Sequence, residues 1–307
     1  MPSQNKPRLI YLQDLFINPS FESEGDIDVL PLGWTKAGDV GDTSTFLKKA
    51  GAREPELMTT FNAESEVKGT DTLVINEQDI AVDVSKFAIN DIFLLGVWVK
   101  STGIATVKAR ITTRTGADAV IETATVTEVF GAAGPYTFIQ VELEITTLAS
   151  YDHFKVELEN ASAVGPIVSF DDVIFGKVLD SPINTGDPGN INIINRRQMQ
   201  PEAVNSFSLG GVGESLRPGT PVWVFDLEMI RFNQSFHDKL FDFWKEVRKG
   251  GHFKCSVFFD KDSGEFEDFH FPYCVVTNEE FNPDLNVGIV RYSITLGFRT
   301  VLPFDLA

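Results

Sequence analysis

Val168–Phe175 reads V-S-F-D-D-V-I-F, and far upstream Ile17–Glu22 reads I-N-P-S-F-E, followed by Gly33-Trp34. The early stretch reads as the opening edge of a β-sandwich and the late one as its closing strand. Each sets acid beside apolar residues: Glu22 in the first, Asp171 and Asp172 in the second. If the two strands meet, these carboxylates converge near one end of the sandwich. Three close carboxylates repel one another unless something compensates them. A hard cation such as Ca2+, which takes about six to eight oxygen ligands, resolves that repulsion. The alternative is three solvated edge carboxylates. Which of Asp171 and Asp172 would hold the metal stays open.

The chain between these stretches fits the same fold. Residues 23–70 are rich in Gly, Asp, Glu, Ser and Thr, which predicts long loops and two or three short strands. From Asp71 onward strand signals become regular. Thr72–Ile75 is one. Ile92–Lys100 is the strongest, with Phe93, Leu95, Val97 and Val99 on one face. In Thr106–Thr113, Val107, Ala109 and Ile111 face one way and Lys108, Arg110 and Thr112 the other. Ile121–Val126 follows. Thr137–Ile145 puts Phe138, Val141, Leu143 and Ile145 inward and Gln140, Glu142 and Glu144 outward. Lys155–Glu159 and Ser169–Phe175 complete the set. Short alternating strands, with turn residues between them and no helix, predict a sandwich.

Asp180–Asn190 reads D-S-P-I-N-T-G-D-P-G-N, an aperiodic linker. The expected organisation is an arm at 1–13, a first domain at 14–179, a linker at 180–190 and a second domain at 191–307. In the second domain Val222–Ile230 is a strand with Trp223, Phe225, Leu227 and Met229 on one face. One helix follows, with Asn233 or Ser235 as cap and Phe236, Leu240, Phe243 and Val247 as its apolar stripe. Lys245, Arg248 and Lys249 suit its C-terminal end, and Gly250 stops it. Strands are expected at 253–259, 273–278 and 287–299. The fold class is therefore all-β, two β-rich sandwich domains with one α-helix in the second.

The chain has 307 residues, 26 basic and 44 acidic, for a net charge of −18. Such acidity makes the chain a poor candidate for holding nucleic acid by its phosphates, which needs clustered Lys and Arg. Acid facing DNA would repel it and suits a passage better than a binding site. Two cysteines, Cys255 and Cys274, give no disulfide framework. No secretory signal or apolar run of membrane-helix length is present, which predicts a soluble protein made in a cytoplasm and no membrane insertion. His153, His237, His252 and His270 have no metal-ligand spacing. Gly210-Gly211-Val212-Gly213 neither follows a strand nor opens a helix as a phosphate loop requires. No pair of carboxylates is singled out for glycoside hydrolysis. The expectation is no catalytic residue and no enzyme.

A binding face is more arguable. Opposite the core side of Ile92–Lys100 lie Leu94, Gly96, Trp98 and Lys100. Lys108 and Arg110 from one neighbouring strand, and Gln140 and Glu142 from another, are candidate polar partners. A Trp beside hydrogen-bonding groups can hold a sugar ring, the indole stacking and the polar groups selecting. The candidate carbohydrate-binding set is Trp98, Arg110, Gln140 and Glu142. The competing placement packs Trp98 under a loop or against a neighbouring subunit.

The stretch I-N-P-S-F-E, the Gly33-Trp34 pair and the late Asp171-Asp172-Val173 resemble the jelly-roll carbohydrate-binding modules of the family 4/9 type, over residues 14–178. That resemblance implies a structural calcium held by Glu22 and by Asp171 or Asp172. The second half, with D-L-E-M-I-R-F, F-W-K-E-V-R-K-G-G-H-F, F-D-K-D and G-I-V-R-Y-S-I-T-L-G-F-R, resembles minor and distal tail proteins of tailed bacteriophages in element order over residues 195–300. That resemblance implies a virion structural protein, assembled in the host cytoplasm. It implies a homo-oligomeric ring at the tail tip, touching other phage tail proteins, with DNA passing through unbound. The jelly roll would project outward, with cell-surface glycan as its candidate ligand. The rival readings are a glycan-binding module on another scaffold and a phage neck or head-decoration protein.

Overall fold

The computed structural model describes residues 8–11, 21, 27–38, 44–51, 61–69, 71–81, 83, 87–148, 151–179, 190–199, 205–207, 213–215, 222–248, 253–260, 266–286 and 291–300. The chain forms two compact units. One is Gln13–Lys177, and the other joins Met1–Leu12 to Val178–Ala307. The first strand, β1 (Arg8–Tyr11), belongs to the second unit.

The Gln13–Lys177 unit is a jelly roll. Its strands are β2 (Thr35–Gly38), β3 (Thr45–Ala50), β4 (Phe61–Glu66), β5 (Val74–Ala81), β6 (Ile92–Ser101), β7 (Ala105–Arg114), β8 (Val120–Phe130), β9 (Thr137–Glu144), β10 (His153–Asn160) and β11 (Ile167–Leu179). One sheet runs β3-β4-β11-β6-β9 and the other β2-β5-β10-β7-β8. From β4 to β11 the chain repeatedly crosses between the two sheets. The described residues of 23–70 include three short strands, β2, β3 and β4.

Strict alternation drives the layering. Phe93, Leu95, Val97 and Val99 of β6 face Val107, Ala109 and Ile111 of β7 and Phe154, Val156 and Leu158 of β10, all buried. Toward one end Phe93 packs on Phe154, with ring centroids 4.5 Å apart, and on Phe175 at 5.9 Å. Elsewhere in the core Phe46 touches Phe21 at 6.2 Å, Trp34 at 5.9 Å and Phe170 at 6.3 Å. Phe21, Trp34 and Phe170, drawn from the two stretches that first suggested the fold, therefore meet through one phenylalanine.

Phe170 and Phe175 both point into the core although an unbroken strand would send them to opposite faces. Asp172 sits between them with φ 44°, a left-handed backbone that Asp tolerates better than most residues. It supplies the extra step that restores the inward phase. One expected assignment changes: Phe138 does not face inward with Val141 and Leu143. It is opposite Trp98 in the β6–β9 register, in phase with Gln140 and Glu142, so it lies on the outer face. The period of two along a strand fixes this.

The other unit has β12 (Asn190–Met199), β13 (Asn205–Phe207), β14 (Gly213–Ser215), β15 (Val222–Phe232), α1 (Gln234–Arg248), β16 (Phe253–Asp260), β17 (Phe266–Val276), β18 (Asp284–Asn286) and β19 (Arg291–Thr300). Its main sheet runs β12-β15-β19-β17-β16-β1, with β18 beside β19. The helix forms the layer over it. Phe236, Leu240, Phe243, Trp244 and Val247 bury against Leu227, Met229, Ile294, Leu296 and Phe298. Tyr11 joins that core edge-on to Phe243 at 5.3 Å. Asn233 is the helix cap, its Oδ1 accepting from the Phe236 N–H at 2.9 Å, while Ser235 lies inside the helix. In β12 a bulge between Ile194 and Arg197 breaks the alternation. The Gly-rich stretch 208–220 lies outside the described residues except for β14, which pairs with β13.

Phe46 is 1% exposed and touches both signature stretches. Phe46→Ala should destabilise the jelly roll by about 3–5 kcal/mol, read by urea unfolding. A loss under about 1 kcal/mol would contradict this account of its core.

Candidate ligand-binding face

The outer face of the sheet β3-β4-β11-β6-β9 collects aromatic and polar side chains from several strands. On β6 and β9 the pairs Trp98↔Phe138, Gly96↔Gln140 and Leu94↔Glu142 stand side by side. The Trp98 and Phe138 rings are 5.2 Å apart and tilted by 50°. Phe138 lies across Gly96: a Cβ there would come within 2.4 Å of its Cζ. Gly96 thus lets an aromatic ring lie flat on the sheet.

Tyr136, just before β9, extends this row. Its hydroxyl accepts from Asn62 Nδ2 at 3.0 Å, and Lys100 Nζ lies 5.7 Å from its ring centroid. In the β4–β11 register Glu64 is opposite Ser169, and Asp171 follows two residues on along the same face. Burial holds the Tyr136 hydroxyl above its ordinary pKa; the Asn62 bond opposes this and the Asp171 charge adds to it. Burial likewise raises Glu64, with Lys49 opposing and Glu66 reinforcing. Aromatic surface, an amide, carboxylates and an ammonium are therefore gathered on one sheet face. This is the chemistry of a surface that stacks a ring and hydrogen-bonds its substituents.

The opposite sheet presents a different outer face. Arg110 is there, on β7, bonded to Glu157 at 3.2 Å and Glu159 at 3.4 Å. Lys108 holds Glu159 at 2.5 Å, and Lys155 lies 3.4 Å from Glu77. Arg114 pairs with Asp118 at 3.1 Å. These charges satisfy one another across β5, β10 and β7. Of the four residues singled out from sequence, Trp98, Gln140 and Glu142 share one face and Arg110 does not. Both Arg110 and Trp98 point away from the core, but they do so from different sheets, which periodicity alone cannot distinguish.

The alternation of F-N-A-E-S-E on β4 contains the signal for Asn62 and Glu64, and the phase of Gln140 contains that for Phe138. Tyr136 precedes its strand and had no periodic signal.

For the carboxylate cluster, Glu22 lies outside the described residues. Asp171 is wholly buried, and its Oδ1 accepts from the Asp172 N–H at 2.8 Å. Asp172 is half-buried at the bulge. Among the described residues no group of three or more His, Cys, Asp or Glu could hold a metal ion. A site made with Asp171 or Asp172 thus needs ligands beyond the described residues, such as Glu22. Cys274 is buried, and the side chain of Cys255 lies outside the described residues.

No protein-family model and no curated protein sequence matches the chain. Among solved structures it is similar to the enzymatically active domain of bacteriophage CBA120 tailspike protein 4. Identity is 18%, covering 52% of this chain and 21% of that one, with a TM-score of 0.41. The CBM22-1 xylan-binding domain of Paenibacillus barcinonensis Xyn10C gives 13% identity over 52% of this chain and 90% of that one, TM-score 0.38. A CBM4 structure gives 14% over 52% of this chain and 97% of that one, TM-score 0.36. The chain spans about a fifth of the tailspike's length. At these scores the jelly-roll assignment rests on the strand order itself.

A raised tyrosine pKa means that the folded state keeps a proton the unfolded chain loses near pH 10, so stability falls as pH rises above about 10. Tyr151, also raised by burial and by the Glu122 charge, acts in the same direction. Tyr136→Phe should flatten part of that fall in alkaline urea titrations. An unchanged slope would contradict the burial of its hydroxyl.

Proposed function

We propose that the Gln13–Lys177 jelly roll is a glycan-binding module and that the whole chain is a structural, non-catalytic protein of a bacteriophage tail. The observation that carries the glycan reading is the row Tyr136, Phe138 and Trp98 on one sheet face, flanked by Asn62, Glu64, Gln140 and Glu142. Sugar rings offer C–H faces that stack on aromatic rings and hydroxyls that need both donors and acceptors. The exposed Gln140 can supply both, and the carboxylates accept. Among the described residues, the other outer face pairs Lys108, Arg110 and Lys155 with carboxylates and presents no comparable aromatic row.

The tail reading draws on the second unit, where a strand, one amphipathic helix and further strands follow in the order resembling phage tail proteins. In this reading copies of the chain form a ring among other tail proteins in the virion, assembled in the host cytoplasm. The net charge of −18 leaves passing DNA unbound. The jelly roll faces outward to cell-surface glycan. No helix among the described residues is long and apolar enough to cross a membrane. A structural calcium at Glu22 with Asp171 or Asp172 belongs to the same proposal.

Affinity electrophoresis against a panel of cell-wall and plant polysaccharides tests the glycan reading. Trp98→Ala should weaken binding at least about tenfold, or ~1.4 kcal/mol, with unchanged thermal unfolding. Arg110→Ala should leave binding unaltered. Equal losses from both, or no binding by the wild type, would overturn the reading. Calcium at about 100 times its dissociation constant should add ~2.7 kcal/mol to the jelly roll's stability. Thermal unfolding indifferent to chelator would remove the metal.

A further inference from the structure

On the jelly roll, Lys68, Lys108, Arg110, Lys155 and Lys177 each hold a carboxylate at 2.5–3.4 Å. Lys100 does not. It is exposed near the end of β6, in phase with Trp98 two residues earlier. The β6–β9 register pairs Val99 with Thr137 and so sets Lys100 beside Tyr136. Its Nζ lies 5.7 Å from the centre of the Tyr136 ring, and among the described residues it has no hydrogen bond or ion pair. The Glu64 carboxylate feels the Lys100 charge without pairing with it, and burial acts on Glu64 more strongly. Lys49, which also acts on Glu64, is itself bonded to Asp28.

A chain with 44 acidic residues thus leaves one ammonium open to solvent at the end of its aromatic row. A sugar stacked on Tyr136, Phe138 or Trp98 would bring its ring substituents beside that ammonium. Lysine is a compact point charge on a flexible stem, suited to a single anionic group and less to a flat bidentate one.

We propose that the glycan bound on this face bears a sparse anionic group, a carboxylate or a phosphate, and that Lys100 receives it. The proposal rests on the glycan reading of this face and adds the charge of the ligand. Beyond Phe138 the outward positions of β9 are Gln140, Glu142 and Glu144, all exposed. Glu142 is six residues from Tyr136 along the chain, roughly 20 Å at ~3.4 Å per residue. A polymer that follows the row with a charge on every sugar would press anions against Glu142 and Glu144. One with isolated charges can seat an anion at Lys100 and lay neutral sugars toward Gln140. The contact is open to solvent, so salt screens it and binding of the acidic ligand weakens as ionic strength rises.

Affinity electrophoresis of the full chain against matched polymers tests this. The carboxylate arm is glucuronate-substituted xylan beside its carboxyl-reduced form. The phosphate arm is phosphorylated amylopectin beside its dephosphorylated form. Polygalacturonate serves as the continuous polyanion. In at least one arm the wild type should bind the acidic form about fivefold more tightly than the neutral form, less so in high salt, and more tightly than polygalacturonate. The arm that shows the preference identifies the anion. Lys100→Met should remove the preference with unchanged thermal unfolding, Lys100→Arg should keep most of it, and Trp98→Ala should weaken both forms alike. Equal binding of acidic and neutral forms, or binding of neutral polymers only, overturns the anionic ligand and leaves the glycan reading standing. A preference that survives in folded Lys100→Met overturns the role of Lys100. Tightest binding to polygalacturonate overturns the sparse charge. No binding to any polymer removes the glycan reading and this inference with it.

Discussion

The jelly roll depends on the contact between its two sheets, centred on Phe93 of β6 and Phe154 of β10 with their rings 4.5 Å apart. Once those side chains face inward, the period of two sends every alternate residue outward. On β6 that fixes Leu94, Gly96, Trp98 and Lys100 on the surface of the sheet. Phe93, Leu95, Val97 and Val99 are all under 1% exposed, so a one-residue slip would take four apolar side chains out of the core. A fully buried aliphatic or aromatic side chain is worth about 1.5–3 kcal/mol, so the register is held strongly. The position of Trp98 follows from the core, not from any preference of its own.

The two outer faces then diverge by composition. Across β5, β10 and β7 the outward positions set cations against anions, and Lys108, Arg110 and Lys155 find partners in Glu159, Glu157 and Glu77. Removing one member would strand its partner, since Glu157 and Glu159 are only 8% and 6% exposed. That face is closed chemistry. Across β4, β11, β6 and β9 the corresponding positions hold rings, amides and hydroxyls. The aromatic faces of Trp98 and Phe138 can accept a flat apolar partner.

The alternation of Ile92–Lys100 and of Thr106–Thr113 made the sandwich legible in the sequence, and the spacing of Phe236, Leu240, Phe243 and Val247 made the helix legible. The outward phase of Trp98, Gln140 and Glu142 could be read in the same way. Which outward residues share a sheet could not, because that depends on strand order and the chain crosses between sheets repeatedly. Arg110 went to the wrong partner for that reason. Phe138 was counted inward because it is apolar, although Gln140 two residues later gave its true phase. The bulge at Asp172 was equally hidden, since no pattern of residue types announces one left-handed residue inside a strand.

The central claim is that ligand meets the β4-β11-β6-β9 face. Amide hydrogen exchange of the full chain, with and without a saturating oligosaccharide taken from a polysaccharide it binds, tests this most directly. The account expects slowed exchange in Phe61–Glu66, Ile92–Ser101 and Tyr136–Glu144, with Ala105–Arg114 and His153–Asn160 unchanged. Protection confined to those last two strands would contradict it.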